Sequence, residues 1–257
     1  MVDGRAHVII GMRMVGTKKS LGQHWLKNRA ILEEIADLAG EGSLCVEIGP
    51  GLGFLTSSLL KRFDKVIAVE FDQRLAENLP KSFPGKNLEV VNEDILKYNF
   101  DAVLEPYVVA GNIPYYITSP IIEKVLTAKS LPERVVLLVQ KEVAERIISD
   151  KETVLSLFVK NRASVSAGPV VLKSEFTPPP KVDSQVIVME PHEPVVAEEV
   201  FGLIRTGFKA PRKKLISNLA KNRDELAKVF IGVGLDLNVR PGDLKLEDWE
   251  RLYSCLN

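Results

Sequence analysis

Cysteine and histidine are scarce in this 257-residue sequence, which has two cysteines and three histidines. Cys45 and Cys255 lie far apart, and Cys45 falls inside an apolar strand pattern, so a reduced buried thiol and a cytoplasmic location are expected. Structural zinc sites use sets of four cysteine and histidine ligands, and these few scattered residues predict that no metal is bound. No apolar run reaches the roughly 20 residues that cross a bilayer, so no membrane partner is expected.

The sequence also lacks a net charge, because 34 basic side chains balance 34 acidic ones. The balance is not uniform along the chain. Residues 1–29 carry six Lys or Arg and one acidic residue, and residues 205–223 carry seven Lys or Arg and no acidic residue. Local clusters of this kind attract a phosphate backbone, although a solvated helix face and a loose tail have the same composition. Charge alone therefore leaves a nucleic-acid partner open.

Strand and helix patterns alternate through the first three quarters of the chain. Continuous apolar runs, typical of strands covered on both faces, predict strands at 44–49, 65–72, 88–94, 107–112 and 134–140, with two more near 163–173 and 184–190. Helical spacing predicts helices from Asn28 to Gly40, at 54–62, at 73–79 and at 120–127, the last with Ser119 as N-cap and Pro120 in its first turn. This order predicts an α/β fold with a doubly wound, mostly parallel sheet, which binds ligands at the carboxyl ends of its strands.

Three segments are expected along the chain. Residues 1–17 have little periodicity and are predicted to be loosely ordered, and residues 18–193 form the sheet domain. Past "EPHEPVV" at 190–196 only helical patterns remain, at 198–207, 213–221, 224–233 and 244–255. Residues 194–257 are therefore predicted to form a small all-helical domain.

A glycine-rich turn follows the first predicted strand. The stretch "EIGPGLGF" at 47–54 places Gly49, Gly51 and Gly53 where the backbone turns tightly and approaches a ligand without a Cβ in the way. The spacing differs from the G-x-G-x-x-G of dehydrogenases, and the turn contains no lysine or arginine for a phosphate. Glu70 closes the second strand, where a carboxylate can accept two hydrogen bonds from a ribose diol.

The third predicted strand ends at Asp94. A carboxylate at this point can accept from the exocyclic amine of adenine, beside the main-chain amide of Ile95. Glu70 and Asp94 taken singly are equally well explained as caps of the following helices. A glycine turn and two acids at three successive strand ends nevertheless favour an adenosine-containing cofactor. S-adenosylmethionine fits a site without a pyrophosphate anchor, and NAD is the second candidate.

The fourth predicted strand ends in Asn112-Ile113-Pro114-Tyr115. An aromatic amine such as adenine N6 is a poor nucleophile, because its lone pair is conjugated with the ring. The side-chain carbonyl of Asn112 and the main-chain carbonyl of Ile113 or Pro114 would accept hydrogen bonds from the N–H groups of N6 and so free its lone pair. Proline would fix the turn that carries these carbonyls. Tyr115 would stack on a base that has left its helix. Tyr116 would either line the pocket or pack beneath it, and packing beneath it is the expectation. The stretch predicts methyl transfer to an amine, achieved mainly by positioning.

Nine motifs, in this order, resemble those of the KsgA-type ribosomal RNA adenine dimethyltransferases, whose relatives include the Erm resistance methyltransferases and mitochondrial factors. They are "KKSLGQHWL" (18–26), "VEIGPGLGFLT" (46–56), "VEFD" (69–72), "NEDIL" (92–96), "GNIPYYITSPI" (111–121), "QKEVAERI" (140–147), "FTPPPKVDSQV" (176–186), "FKAPRKKLISNL" (208–219) and "RPGDL" (240–244). The resemblance covers about residues 18–255. It implies a Rossmann-like S-adenosylmethionine methyltransferase fold. It also implies transfer of two methyls to N6 of each of two adjacent adenosines near the 3′ end of small-subunit (16S-type) rRNA.

The resemblance also implies roles for individual residues. The cofactor would be bordered by His24 and Leu26 and bound by Gly49, Gly51, Gly53, Glu70, Asp94, Ile95 and Asn112. Phe176 would form the wall of the base pocket opposite Tyr115 and join Asn112 and Pro114 in the catalytic set. RNA phosphates would lie against Lys181, Lys209, Arg212, Lys213 and Lys214. The partner would be small-subunit rRNA in a 30S-type particle or an assembly intermediate, bound by a cytoplasmic monomer.

Some positions depart from the family pattern, and more than one function stays open. His24 stands where asparagine is frequent, Trp25 where phenylalanine is usual, and Thr153-Val154 where a Tyr-Gly pair is common. The motif sequence "NIPY" also occurs in Erm proteins, so an Erm-like enzyme acting on large-subunit rRNA is the main alternative function. The motifs "FTPPPKVDS" and "RPGDL" favour the KsgA type. A non-catalytic assembly or transcription factor on the same fold is a second rival, and an NAD enzyme is a third.

Overall fold

The computed structural model describes residues 7–10, 13–16, 23–219 and 223–256. Two short antiparallel strands, β1 (His7–Ile10) and β2 (Arg13–Gly16), lie near the start of the chain. The other residues of the segment 1–17, for which loose order is predicted, lie outside the described residues, as do residues 18–22 of the first motif. Within the described ranges, no helix is long and apolar enough to span a bilayer.

In the part of the chain that the structure describes, seven strands form the central sheet. They are β4 (Gly42–Ile48), β5 (Phe63–Glu70), β6 (Leu88–Asn92), β7 (Tyr107–Asn112), β8 (Arg134–Gln140), β9 (Ala163–Val171) and β11 (Ser184–Pro191). Their order across the sheet is β6-β5-β4-β7-β8-β11-β9. The strands β4 to β8 run parallel, and β11 runs antiparallel to β8. The doubly wound, mostly parallel sheet expected from the sequence is confirmed.

The topology explains both the burial of the strands and the place of the site. Val135 to Val139 in β8 are all buried, and because successive side chains point to opposite faces, both faces of this strand are covered. The chain leaves β4 toward β5 and β6 on one side, whereas β7 and β8 lie on the other side of β4. This reversal of strand order opens a crevice at the carboxyl ends of β4 and β7. Gly49 follows β4 directly, and Asn112 is the last residue of β7.

Four helices accompany these strands: α1 (Arg29–Ala39), α2 (Phe54–Leu59), α3 (Gln73–Ser82) and α4 (Thr118–Leu126). The Asn28 side chain caps α1 by accepting hydrogen bonds from the main-chain N–H groups of Ala30 and Ile31. Gly40, with φ 85°, ends the helix. Two further strands, β3 (Trp25–Leu26) and β10 (Phe176–Thr177), pair with each other outside the main sheet.

The prediction that Ser119 caps α4 is wrong. The helix begins at Thr118 and follows a 3₁₀ turn, Tyr115–Ile117, without an intervening loop. The main-chain N–H of Thr118 already donates to the carbonyl of Tyr115 at the end of that turn, and α4 has no side-chain cap. Pro120 remains within the first turn, where a missing N–H costs no helical hydrogen bond.

By its contacts the chain divides into two units. The first is Met1–Ala144 with Ser166–Pro191, and the second is Glu145–Val165 with His192–Asn257. The sequence predicts that the helical domain begins at 194, two residues later than the division. The larger difference concerns residues 145–165, which the sequence assigns to the sheet domain and the structure places in the second unit.

Apolar and ionic contacts hold residues 149–160 in the second unit. Leu157 of α6 (Val154–Lys160) is buried in the helical core. The Glu152 carboxylate accepts hydrogen bonds from Lys160 at 2.8 Å and from Lys245 at 2.9 Å. Burial opposes ionisation of Glu152, but these hydrogen bonds outweigh it and hold the pKa below its usual value. Because Lys245 is 93 residues away in the chain, no local pattern could predict this attachment.

The remaining helices of the second unit pack around a common apolar core. They are α7 (Glu198–Gly207), α8 (Leu215–Leu219), α9 (Arg223–Gly232) and α10 (Leu246–Leu256), and α5 (Lys141–Ile148) crosses the division between the units. Phe201, Phe230 and Trp249 are the largest fully buried side chains in this core. The helix predicted at 198–207 has these bounds in the structure, whereas α5 and α6 were not predicted. Thr153, at a position that departs from the family pattern, caps α6 in a reciprocal pair with Ser156.

Gly207, the last residue of α7, lets α10 approach closely, which yields a first prediction. A Cβ at this position would overlap the Trp249 ring and lie 2.7 Å from Leu215 Cδ1. We expect Gly207→Ala to lower the free energy of unfolding by about 1–3 kcal/mol, because an overpacked core must shift. Gly202→Ala in the same helix is the matched control, since nothing lies within 4 Å of its Cβ position. That control should be neutral or stabilise by up to about 1 kcal/mol. Equal urea midpoints for the two variants would contradict this packing.

Candidate active site

A cavity of about 240 Å³ opens at the carboxyl ends of β4, β5, β6 and β7. All the residues that line it belong to the first unit. They are Gln23, His24, Trp25, Leu26, Leu32, Glu47, Ile48, Gly49, Pro50, Gly51, Leu52, Phe54, Leu55, Val69, Glu70, Phe71, Glu93, Asp94, Ile95, Leu96, Asn112, Ile113, Pro114, Tyr115, Tyr116 and Ile117. The cavity therefore brings together the residues predicted at four strand ends, apart from Gly53, with His24 and Leu26 of the "QHWL" segment.

The glycine turn after β4 has the backbone conformation that its composition predicts. Gly49, Gly51 and Gly53 have φ values of 64°, 57° and 83°, a region that residues with a Cβ rarely adopt. A Cβ on Gly53 would lie 2.7 Å from Leu79 Cδ1, whereas nothing lies within 4 Å of the Cβ position of Gly49. The turn therefore presents open backbone to the cavity at Gly49 and packs tightly at Gly53, although Gly53 itself does not line the cavity.

The Glu70 carboxylate lies at the end of β5, buried except for 6% of the residue surface. Its Oε2 accepts from the main-chain N–H of Gly51 at 3.1 Å, and its Oε1 accepts from that of Asp72 at 2.7 Å. Burial raises the pKa of Glu70 above its usual value, although the two N–H groups favour the charged form. Each carboxylate oxygen has a second lone pair, so the group can still accept from two ligand hydroxyls.

Glu47 in β4 is a second acid at the cavity, and the sequence did not predict a role for it. Only 1% of the residue is exposed, and Oε2 accepts from the Thr56 hydroxyl at 2.6 Å. Burial, with a smaller contribution from the charge of Glu70, raises the pKa of Glu47 to about 8, against the hydrogen bond from Thr56. The side chain is therefore a neutral acid at pH 7. A glutamate within the otherwise apolar run "LCVEIG" is the sequence signal that points to it.

Asp94 and Ile95 form the next side of the cavity, after β6. Asp94 Oδ1 accepts from the main-chain N–H of Leu96 at 3.0 Å, and its main-chain carbonyl accepts from Lys97 and Tyr98. Asp94 therefore caps the turn that follows it, which is the structural role that the sequence offers as an alternative to cofactor binding. Its half-buried carboxylate also lines the cavity, and one oxygen suffices for the cap, so Oδ2 can accept from a ligand.

The Asn112 amide is oriented by the segment that carries His24. Asn112 Nδ2 donates to the main-chain carbonyl of His24 at 3.2 Å, which leaves Oδ1 as the acceptor that the side chain presents. The His24 ring is held in turn by Nδ1, which lies 2.8 Å from the Pro178 carbonyl oxygen. The first contact joins residues that are 88 positions apart in the chain, and the second joins residues that are 154 positions apart.

The turn Pro114–Ile117 places one aromatic ring inside the cavity and another at its mouth. The Pro114 carbonyl accepts from the main-chain N–H of Ile117 at 3.2 Å, so the Ile113 carbonyl is the freer of the two acceptors that the sequence offers. The Tyr115 hydroxyl lies 2.7 Å from the Ser184 hydroxyl. The Tyr115 and His24 rings are 21° from parallel, with their centroids 6.1 Å apart.

Two sequence predictions about aromatic residues are corrected here. Phe176 does not line the cavity, because it is 3% exposed and lies in the apolar core, where β10 pairs it with Leu26. In this structure the ring near Tyr115 is His24. Tyr116 does not pack beneath the pocket, since it is 65% exposed and lines the cavity.

The predicted RNA-binding residues lie in both units. Lys181 is exposed in the first unit, and Lys209, Arg212, Lys213 and Lys214 are exposed in the second. The last three line a shallow depression together with Ser217, Asn238 and Arg240. Lys214 Nζ donates to Asn238 Oδ1 at 2.5 Å. Arg240 joins this cluster from the "RPGDL" motif, an addition that the sequence alone did not predict.

Comparisons with known proteins agree with this geometry. A family model described as ribosomal RNA adenine dimethylase matches residues 14–257. The chain belongs to this family. Its relatives include the ribosomal RNA small subunit methyltransferases A of Dehalococcoides mccartyi and Lactobacillus johnsonii. The first is 37% identical, over 93% of this chain and 87% of the relative, and the second is 35% identical, over 98% and 95%.

Two solved structures of methyl-transferring enzymes are also similar. A dimethyladenosine transferase from Plasmodium falciparum has a TM-score of 0.78 and 29% identity, covering 89% of this chain and 96% of that one. The 23S rRNA methyltransferase ErmE has a TM-score of 0.73 and 27% identity, covering 90% and 99%. The family predicted from the nine motifs is confirmed, and so is the class of enzyme, an rRNA adenine dimethyltransferase.

Proposed function

We propose that this dimethylase transfers methyl groups from S-adenosylmethionine to N6 of two adjacent adenosines near the 3′ end of small-subunit rRNA, giving N6,N6-dimethyladenosines during subunit assembly. The observation that carries the proposal is the Asn112 amide, whose oxygen is the acceptor it presents at the cavity because its nitrogen donates to the His24 carbonyl. Relatives at 35–37% identity are named small subunit methyltransferases, which supports this substrate. We expect a cytoplasmic monomer that meets its rRNA in a 30S-type particle or an assembly intermediate.

The donor set of the cavity fits an adenosine-type sulfonium cofactor. Glu70 would accept from the ribose hydroxyls, and Asp94 with the N–H of Ile95 would bind the adenine edge. Phe71, 61% exposed beside Glu70, and the buried Ile95 offer apolar surface for the adenine ring. Gly49 allows close approach of the backbone, and no basic residue occupies the turn, so a pyrophosphate has no anchor there. S-adenosylmethionine supplies a methyl group on a positively charged sulfur.

The substrate side of the cavity is built for an aromatic amine. In the unmethylated adenosine, Asn112 Oδ1 and the Ile113 carbonyl would accept hydrogen bonds from the two N–H groups of N6, which draws the nitrogen toward tetrahedral geometry and frees its lone pair. In the second transfer one N–H group remains to make this contact. Tyr115 would stack on the extruded base, and its hydrogen bond with Ser184 holds the ring in place. We expect positioning and electrostatic stabilisation to carry the reaction. As the methyl group leaves the sulfur and bonds to N6, the nitrogen becomes positive, and it then releases one N–H proton to water.

The substrate is tested by mapping where the methyl groups go. Under-methylated 30S and 50S particles are incubated separately with the protein and labelled S-adenosylmethionine, and the labelled nucleotides are located. We expect label on two adjacent adenosines of the small-subunit rRNA. Label confined to 50S particles would favour an Erm-like enzyme, to which ErmE gives structural support. No label on either particle, with S-adenosylmethionine still bound, would favour a non-catalytic factor, and calorimetric binding of NAD instead would favour a dehydrogenase.

The basic cluster of the second unit yields a second prediction. We expect the double variant Lys213→Glu with Lys214→Glu to bind RNA more weakly. The logarithm of its binding constant should also fall less steeply with the logarithm of the salt concentration, with a slope smaller in magnitude by about two, roughly one for each lost phosphate contact. Lys228→Glu, a charge reversal at an exposed position of α9, is the control and should change the slope little. An unchanged slope in the double variant would show that the cluster does not contact phosphates.

A further inference from the structure

Exposed aromatic rings are concentrated at one place on the described part of the chain. Among the Phe, Tyr and Trp side chains that the structure describes, only Phe71 and Tyr116 are mostly exposed, at 61% and 65%. Both line the cavity at the ends of the parallel strands. Large apolar rings are normally covered by protein. Two such rings at the mouth of one cavity therefore indicate surfaces that ligands cover.

The two rings belong to different sides of the cavity. Phe71 follows Glu70 at the end of β5, on the side proposed for the cofactor. Tyr116 follows Tyr115 in the turn that begins at Asn112, on the side proposed for the target base. The proposed cofactor therefore explains the exposure of the Phe71 ring, whereas the exposed ring of Tyr116 has no assigned ligand.

The backbone on both sides of Tyr116 is held in place. The Pro114 carbonyl accepts from the N–H of Ile117, and the Tyr115 carbonyl accepts from the Thr118 hydroxyl at 3.1 Å. The Tyr115 side chain turns inward, half-buried, to Ser184. Tyr116 is consequently presented outward from a turn that cannot easily fold it back against the protein. A fixed, uncharged ring of this kind suits stacking, which every nucleobase accepts.

We propose that Tyr116 is the stacking platform for the nucleobase that flanks the target adenosine in the RNA strand. The inference rests on the proposed function, since a flanking base exists only for a polynucleotide substrate. A base that leaves its stack to enter the cavity exposes the face of its neighbour. Tyr116, next in the chain to the ring that contacts the target base, would cover that face and set the register of the strand.

Kinetics on under-methylated 30S particles test this role. We expect Tyr116→Ala to raise KM about tenfold, within the range measured for lost base stacking, and to change kcat by less than about threefold. Tyr116→Phe and Tyr116→Trp keep a ring and should restore KM to within about twofold. Leu104→Ala is the control, because Leu104 is 91% exposed in the same unit and does not line this cavity. Since Tyr116 is exposed, none of these variants should shift Tm appreciably.

A binding measurement keeps the test independent of catalysis. Fluorescence anisotropy of a labelled single-stranded oligoadenylate should show weaker binding to Tyr116→Ala than to the parent, by about fivefold or more, and unchanged binding to Tyr116→Phe. Equal affinity of the parent and Tyr116→Ala would overturn the stacking role, and so would a loss in Tyr116→Phe as large as that in Tyr116→Ala. Failure of the proposed function is a different result, in which the parent binds the oligonucleotide but transfers no methyl group to small-subunit particles.

Discussion

Asn112→Ala is expected to lower kcat for methyl transfer by at least about 100-fold, the loss typical of removing one preorganised group that contacts developing charge. The amine nitrogen becomes positive as the methyl group arrives, so its N–H bonds become stronger donors to Asn112 Oδ1. The interaction therefore grows between the ground state and the transition state, and kcat falls more than KM rises. Cofactor affinity by calorimetry and Tm should stay close to those of the parent, because the residue is half-buried at a strand end.

Two further variants separate the amide's acceptor from its position in the fold. Asn112→Asp keeps acceptor oxygens but loses the donor to the His24 carbonyl, so one oxygen would face that carbonyl oxygen across about the present 3.2 Å. We expect an intermediate loss of kcat. Asn87→Ala is the matched control, since the Asn87 side chain also donates to a main-chain carbonyl, that of Asp64 at 2.9 Å, and neither residue lines the cavity. Near-normal turnover by Asn112→Ala on 30S particles would refute the acceptor mechanism.

The sequence predicts the elements of the site but not the contacts that orient them. Strand ends are marked locally, because an apolar run stops at Gly49, Glu70 or Asn112, and the parallel topology brings such ends together. The direction in which the Asn112 amide points depends on His24, 88 residues earlier. Phe176 has the right chemistry for a base wall, yet its pairing with Leu26 directs it into the core. Pairings of this kind leave no periodic trace in the sequence.

The same distinction applies to the fold. The strands at 107–112 and 134–140 and the helix at 198–207 have the bounds that their patterns predict, because each carries its own periodicity. Helix α6 was not predicted, because its sequence VLSLFVK is apolar at most positions and shows no polar face that would mark a helical period. Its attachment to the second unit depends on Leu157 in the helical core and on the contact of Glu152 with Lys245. Domain membership was therefore decided by tertiary contacts, and composition could not reveal it.

Glu47→Gln is expected to make the protein more stable than the parent, by an amount that grows with pH. In the folded state burial raises the pKa of Glu47 from an ordinary 4.5 to about 8. Between these values the unfolded chain has lost a proton that the folded chain retains, so the stability of the parent falls as pH rises through this window. At about 1.4 kcal/mol per pH unit, the whole window corresponds to several kcal/mol. Glutamine keeps an acceptor for the Thr56 hydroxyl and has no proton to lose.

The measurement is the difference in urea midpoint between Glu47→Gln and the parent from pH 5 to pH 9. Other groups titrate in both proteins and cancel in the difference, so the difference should rise across the window and level off above about pH 8. Glu33→Gln is the opposite control, because hydrogen bonds from Lys61 and Arg62 lower the pKa of Glu33 to about 2. Its difference from the parent should stay constant over the same range, since Glu33 is ionised throughout. A constant difference for Glu47→Gln as well would mean that Glu47 is already charged in the folded protein at pH 5, and it would refute the raised pKa.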